Sequence, residues 1–402
     1  MEWKKLGEVC NIKNGYTPST KNPYFWDNGN LPWFTLEDIR KNGRVLNDAI
    51  KHITPAGLKK GGLFPKDSVI ISTTATIGEF ALITTDFLCN QQITCISIKE
   101  AFRNILLPKF LFFLSADIGR WCKKNVNGGG SLQIISTSKL INLTIPVPSL
   151  EEQNRIVGIL DTFTDSIENL KQQIAQRRKQ FEFYRDQLLD LEGKPIEDIK
   201  LLGDYCTMVK GNGVQKTDFV DEGIGCIHYG QIYTHYGAFT YTTNKFVSKE
   251  VFEKAKKASK GDIVMTDTSE NVEDICKSVA YLGEEDIAVS NHALIIKHEQ
   301  NPKFLSYSTQ TNSFFKQKQK CAYGVKVTGI KPEHLAKFKM YLPPLPEQSR
   351  IVSILDTFEA SITNLEAQLE QRQKQYEYYR NQLLTFNERR KRYVYTTIYS
   401  KF

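Results

Sequence analysis

A 40-residue segment occurs twice in this chain. Residues 150–189 read LEEQNRIVGILDTFTDSIENLKQQIAQRRKQFEFYRDQLL, and residues 345–384 read LPEQSRIVSILDTFEASITNLEAQLEQRQKQYEYYRNQLL. The offset is 195 throughout, without a gap, and 26 of the 40 aligned positions are identical. A repeat of this kind constrains the architecture before any finer reading. Each copy has one apolar stripe. The first runs Ile156, Leu160, Phe163, Ile167, Leu170, Ile174, Arg177, Phe181, Tyr184, Leu188. The second runs Ile351, Leu355, Phe358, Ile362, Leu365, Leu369, Arg372, Tyr376, Tyr379, Leu383. The steps alternate four and three, which is a heptad with apolar a and d positions, so each segment requires a partner helix. The plainer alternative is two amphipathic core helices, but so regular an alternation is unusual in a globular core. At 1.5 Å per residue each makes a rod of roughly 58 Å. An Arg occupies the same seam position in both. Either it sets register, or its stem lies along the seam with its head in water.

Without the rods, two stretches of similar length remain. They open alike, Leu6-Gly7-Glu8-Val9-Cys10 against Leu202-Gly203-Asp204-Tyr205-Cys206. They close alike, Ile145-Pro146-Val147-Pro148 against Leu342-Pro343-Pro344. Between these ends they share little. The chain thus reads as a duplicated unit, domain then rod, with diverged domains: 1–149, rod 150–191, domain 192–344, rod 345–388, and a basic tail 389–402. A whole domain separates the rods in sequence, so they can fold back antiparallel as a coiled coil with an internal pseudo-twofold.

Within the domains, Ser68–Ser72, Phe80–Ile83, Ile93–Ile98, Asp262–Met265, Ser278–Tyr281 and Ala293–Lys297 read as strands. Leu107–Ile118 and Pro302–Gln319 read as helices. Glu192–Pro195 reads as a break, and Asp27–Gly29 and Gly128–Gly130 as loops. The class is therefore α+β.

Composition excludes several functions. The longest apolar run, near Ile105–Leu114, is interrupted by Pro108 and Lys109, so no membrane span is expected. The start lacks an apolar signal core. The eight cysteines form no CxxC pair, which suits reduced thiols in a cytosolic protein better than a zinc framework. The six histidines form no HExxH, and no phosphate-binding loop is present, so neither a metal site nor an ATP motor is expected. Asn22-Pro23-Tyr24-Phe25 lacks the second Pro of the amino-group-binding motif of N-methyltransferases, and no Gly-rich cofactor loop precedes it. The net charge of +8 permits a nucleic-acid partner without requiring one.

Polar stretches at strand ends carry the residue types that read base edges and grip phosphates. In the first domain the candidates are Thr35, Arg40, Thr73, Thr74, Gln91, Gln92 and Gln133. In the second they are His228, Tyr229, Gln231, Thr268, Ser269, His292 and Lys326. Surface loops are polar in any protein, so no single stretch decides the matter. On the rods, Gln173, Gln176, Lys179 and Gln180 recur as Gln368, Gln371, Lys374 and Gln375. A seam does not require this matching away from the seam, so these positions are candidates for binding two copies of one partner. Recent duplication would leave the same trace.

The sequence resembles the specificity subunits of type I restriction–modification systems. The resemblance is carried by Pro146-Val147-Pro148-Ser149-Leu150-Glu151-Glu152-Gln153 with Arg155-Ile156, and by Leu342-Pro343-Pro344-Leu345-Pro346-Glu347-Gln348 with Arg350-Ile351. Tyr184-Arg185-Asp186-Gln187-Leu188-Leu189 and Tyr379-Arg380-Asn381-Gln382-Leu383-Leu384 add to it, as do Asn14–Ser19 and Gly261–Val264. It implies two α/β target recognition domains separated by two long helices, each domain reading one half of a bipartite, asymmetric double-stranded DNA target. The helices would set the gap and dock two modification (methyltransferase) subunits. It also implies no catalysis in this chain. S-adenosylmethionine would belong to the modification subunits, and ATP with magnesium to restriction (motor) subunits. The tail, with Arg389-Arg390-Lys391-Arg392 and three tyrosines, has no counterpart in the family pattern. It reads either as a frayed basic end or as a phosphate-contacting arm.

Overall fold

The computed structural model describes residues 1–126, 133–324 and 327–386. Both repeated segments are unbroken helices, Leu150–Leu189 and Leu345–Leu384. The chain divides into two compact units. One comprises Met1–Asn169 and Leu369–Phe402, the other Leu170–Gln368. The division cuts through both rods, so each unit holds one domain with half of each helix.

In the first unit the helix halves run antiparallel. Ile156 and Leu160, early in the first rod, share a buried cluster with Leu383 and Leu384, late in the second. Phe163 stacks on Tyr379 with ring centroids 5.3 Å apart. The second unit repeats the arrangement with the roles of the rods exchanged. Ile351 and Leu355 cluster with Phe181 and Leu189, and Tyr184 stacks on Phe358, again at 5.3 Å. The 4-3 stripe therefore packs against the partner rod and the adjoining domain, with Tyr184 left 41% exposed beside its stacking partner.

Each domain is built on a five-stranded sheet of the same order. In the first unit the strands are Cys10–Asn14, Ile93–Ile98, Ser68–Ser72, Phe80–Ile83 and Val45–Leu46. In the second they are Cys206–Lys210, Ala293–His298, Ile263–Thr266, Ser278–Tyr281 and Phe239–Thr240. Neighbours are antiparallel except for the last pair, which is parallel in both. A second sheet joins Leu31–Phe34 in parallel to Leu88–Cys89, and likewise Ile224–Ile227 to Ile287–Val289. Just before each like opening, a strand pairs antiparallel with one near the closing: Glu2–Lys5 with Thr144–Val147, and Ile199–Leu201 with Lys339–Tyr341.

A buried glutamine joins each domain to its rod. Gln153 and Gln348 are inaccessible to solvent and lie one repeat period apart. The Gln153 amide donates to the carbonyls of Ile105 (2.7 Å) and Pro148 (2.8 Å), and its oxygen accepts from the N–H of Leu107 (2.9 Å). Gln348 donates to the Pro343 carbonyl (2.8 Å) and to Gln300 Oε1 (2.9 Å), and accepts from the N–H of Asn301 (3.0 Å). The glutamine at the head of each rod is thus a clamp on the loop that opens the adjacent domain helix.

Three expectations need correction. The helix expected at Leu107–Ile118 runs from Pro108 to Lys124. Pro302–Gln319 is not one helix but two, Pro302–Ser308 and Asn312–Cys321. The hydroxyls of Thr309 and Thr311 turn back to the carbonyls of Ser306 (2.8 Å) and Ser308 (3.0 Å), and Thr311 caps the second helix. Such local side-chain bonds compete with helix continuation. The strand expected at Asp262–Met265 lies one residue later, because the Asp262 carboxylate caps a turn at Ser259 (2.8 Å). The glycine run 128–130, Lys326 and the tail 389–402 lie outside the described residues.

Candidate nucleic-acid interface

In each unit, loops that are far apart in sequence meet at one end of the five-stranded sheet. In the first unit, the N–H of Thr73 donates to the carbonyl of Gln92 (2.9 Å), and that of Ile135 to the carbonyl of Thr73 (2.9 Å). The N–H of Asn90 donates to the carbonyl of Phe34 (3.1 Å), and Gln91 is bonded to Thr17. Four polar stretches are thereby gathered: 14–17, 34–35, 73–76 and 90–92.

The second unit repeats these bonds position by position. Asp267 donates to His292 (3.2 Å), Ile330 to Asp267 (3.0 Å), and Ser290 to Ile227 (3.1 Å). Thr73 thus corresponds to Asp267, Gln92 to His292, and Thr35 to His228. Gly15 and Gly211 also correspond: their N–H groups donate to the carbonyls of Ile93 and Ala293, both at 2.9 Å. A Cβ at either would collide with a carbonyl oxygen, that of Cys89 or Ser290. Only glycine lets the first loop approach the 90–92 or 290–292 loop so closely.

The candidates divide by exposure. Arg40, Gln91, Gln133 and His292 are exposed, and Thr35, Thr74, Gln92, Tyr229, Thr268 and Ser269 are half-buried. Arg40 is paired with Glu79 at 2.9 Å. Thr74 bridges Ile134, the neighbour of Gln133, as Thr268 and Ser269 pair with Thr328 and Gly329. Tyr229 stands edge-on to His292 with ring centroids 5.4 Å apart.

Thr73, His228 and Gln231, also among the candidates, are buried. The Thr73 hydroxyl is engaged by Thr94 at 2.9 Å. Thr35 and His228 start short helices, Leu36–Asn42 and Tyr229–Thr234, through reciprocal capping boxes with Asp38 and Gln231. His228 Nδ1 accepts from the N–H of Gly230 at 3.1 Å, and burial pushes its imidazole below its ordinary pKa. These residues shape the loops that present Arg40, Tyr229 and their neighbours.

Sequence reasoning missed Lys210, and it took the polar stretch 266–271 without singling out Asp267. Lys210 Nζ lies 3.1 Å from Asp267 Oδ2 at the same strand end. The signal was present: carrying the like openings forward at an offset of 196 sets Asn14-Gly15 against Lys210-Gly211.

On the rods, Gln173, Gln176, Lys179, Gln368, Gln371 and Lys374 are exposed, while Gln180 and Gln375 are half-buried. Gln180 accepts from Arg177 at 3.0 Å, and Lys374 pairs with Glu370. No helix among the described residues is long and apolar enough to cross a membrane.

Two α+β units on one frame, each with polar loops at one end of its sheet and tied by a repeated helix, define a duplicated recognition module. The chain belongs to the family of type I restriction modification DNA specificity domains, which matches residues 1–177 and 202–374. It is similar to the type I restriction enzyme EcoprrI specificity subunit of Escherichia coli, 38% identical over 55% of this chain and 58% of that one. The alignment thus spans less than two thirds of that relative. A putative type I restriction enzyme specificity subunit of Haemophilus influenzae is 28% identical over 96% of both chains. The fold matches the crystal structure of the S subunit of a type I restriction-modification system from M. genitalium, with a TM-score of 0.54 at 15% identity, over 96% of each chain.

Proposed function

We propose that this chain is the sequence-reading specificity subunit of a type I restriction–modification complex, without catalysis of its own. Each unit reads one half of a bipartite, asymmetric double-stranded DNA target. The rods hold the two halves at a fixed gap and dock two modification subunits through the repeated surface of Gln173, Gln176, Lys179 and Gln180 with Gln368, Gln371, Lys374 and Gln375. S-adenosylmethionine is bound by those subunits, and ATP with magnesium by restriction subunits. The complex works in the cytoplasm.

One observation carries this reading. The two units present corresponding loops on the same backbone frame, but with unlike side chains, whereas the rods have kept theirs. A frame held constant around changed reading groups is expected of a protein whose two halves recognise different sequences. Exposed donors and acceptors at loop ends suit base edges, and lysines and arginines nearby suit phosphates.

The test is to express the chain with its cognate modification subunit in a strain lacking adenine methylation and to sequence the methylated sites. The expected result is one motif of two unlike halves with a constant gap. Exchanging residues 196–344 for those of a relative should replace one half only. A continuous motif, or an exchange that alters both halves or neither, overturns the reading.

A further inference from the structure

Three positions at the reading end correspond between the units, and two of them differ in charge. They are Asn14, Thr73 and Gln92 in the first unit, and Lys210, Asp267 and His292 in the second. Strand register sets Asn14 opposite Thr94 and Lys210 opposite Leu294. In the first unit the Thr94 hydroxyl donates to Asn14 Oδ1 (2.8 Å) and shares a hydrogen bond with Thr73 (2.9 Å). That network is neutral, and it leaves one lone pair of Asn14 Oδ1 unspent. In the second unit Leu294 offers no hydroxyl, and the Lys210 ammonium turns to Asp267 instead.

Asp267 is only 4% exposed, and its Oδ1 is buried without a hydrogen-bond partner among the described residues. His292 Nδ1 stands 4.0 Å away, on a residue whose φ of 64° lies in the left-handed region. A buried carboxylate satisfied on one side contributes poorly to stability. Its evident effect is to hold the exposed ammonium of Lys210 at the rim. An ammonium has donors and no acceptor. In the major groove the base edge that offers two acceptors and no donor is that of guanine, at N7 and O6. Asn14 and Gln92 each carry a donor and an acceptor, the complement of adenine N6 and N7.

We propose that Lys210, positioned by Asp267, reads a guanine in the half-site of the second unit, at the place where the first unit's Asn14 and Gln92 meet an adenine. The inference rests on the reading of each unit as a half-site reader, and it goes further by naming the base and the residues.

The experiment selects bound sequences from a randomised duplex library, using the complex of this chain with its modification subunit. Lys210→Gln keeps an N–H donor for the Asp267 carboxylate, and its unfolding midpoint is measured beside that of the wild type. It should lower the preference for guanine at one position of one half-site by about tenfold or more, and leave the other half-site unchanged. Asp267→Asn should blur the same position, and adding it to Lys210→Gln should change nothing further, which a merely structural role would not produce. A Lys210→Gln complex that loses affinity for all sequences alike, with a salt slope smaller by about one, would make Lys210 a phosphate contact and overturn the proposal. Unchanged selection overturns it as well. Failure of the wider reading looks different: the wild-type complex would then select no bipartite sequence at all.

Discussion

The guanidinium carbon of Arg177 lies 5.8 Å from the centroid of the Phe358 ring, across the seam between the two long helices. One repeat period away, Arg372 stands over Phe163 at 5.6 Å. The polar seam residue therefore meets an aromatic face, and Arg177 spends one of its N–H groups on Gln180. A slip of one heptad would set Arg177 against Ile351 or Leu365, which offer no π face. The contact thus favours one register, while the long stem still packs along the stripe.

A double-mutant cycle of Arg177→Met and Phe358→Leu should give a coupling of about 0.5–1 kcal/mol in chemical denaturation. The same cycle on Arg372 and Phe163 should give a similar figure. A coupling indistinguishable from zero at both sites would remove the pair as a register device.

The glutamine clamps allow a second prediction. Gln153→Met keeps the volume but leaves the N–H of Leu107 and the carbonyl of Ile105 without their partner. Each buried orphan costs about 1–3 kcal/mol. Gln153→Glu is expected to be worse, because it turns a carboxylate toward two carbonyl oxygens. Gln348→Met should behave like Gln153→Met. Unfolding midpoints unchanged by Gln153→Met would refute the clamp.

Legibility in the sequence followed the range of the interaction. The rods were readable because a 4-3 stripe is local and unbroken. Ser68–Ser72, Phe80–Ile83 and Ile93–Ile98 were readable because each is a short run of mostly apolar residues, buried throughout in the structure. The break at Thr309–Thr311 was not, since hydroxyls returning to the backbone decided it against the apolar pattern. The loops were recognised as polar, but not which of their groups are spent internally. Thr73 and Thr94 are 21 residues apart in sequence, and only the sheet brings their hydroxyls together. The same holds for Lys210 and Asp267. The place of Lys210 could have been found by extending the like openings at constant offset, but that of Asp267 could not, because the offset changes before Thr73, and neither could their pairing.

The repeated rod surface gives a third prediction. Lys179→Glu and Lys374→Glu change exposed side chains, so each should alter stability by less than about 0.5 kcal/mol. If the rods dock two modification subunits, each single variant should weaken one of two binding events, and the double variant both. Native mass measurement of the reconstituted complex reads this directly. Full occupancy by two subunits in the double variant would place the docking surface elsewhere.

The last prediction concerns pH. His228 and His298 both lie in the second unit, and burial lowers the pKa of each from the ordinary 6.5. Each ring must stay neutral to accept, His228 from the N–H of Gly230 and His298 Nδ1 from the N–H of Gln300, both at 3.1 Å. With the folded pKa below the unfolded one, the unfolded chain binds more protons in the window between them. Stability from these groups is therefore fully present above about pH 6.5, and it declines as pH falls from there toward the lowered folded values. The second unit should lose thermal stability as pH falls below the ordinary histidine value of 6.5. His228→Asn supplies a capping side chain that does not titrate, and should reduce that loss. Differential scanning calorimetry of the wild type and His228→Asn across this range checks it. Equal pH dependence in the two proteins would mean that the His228 cap contributes nothing to the acid sensitivity.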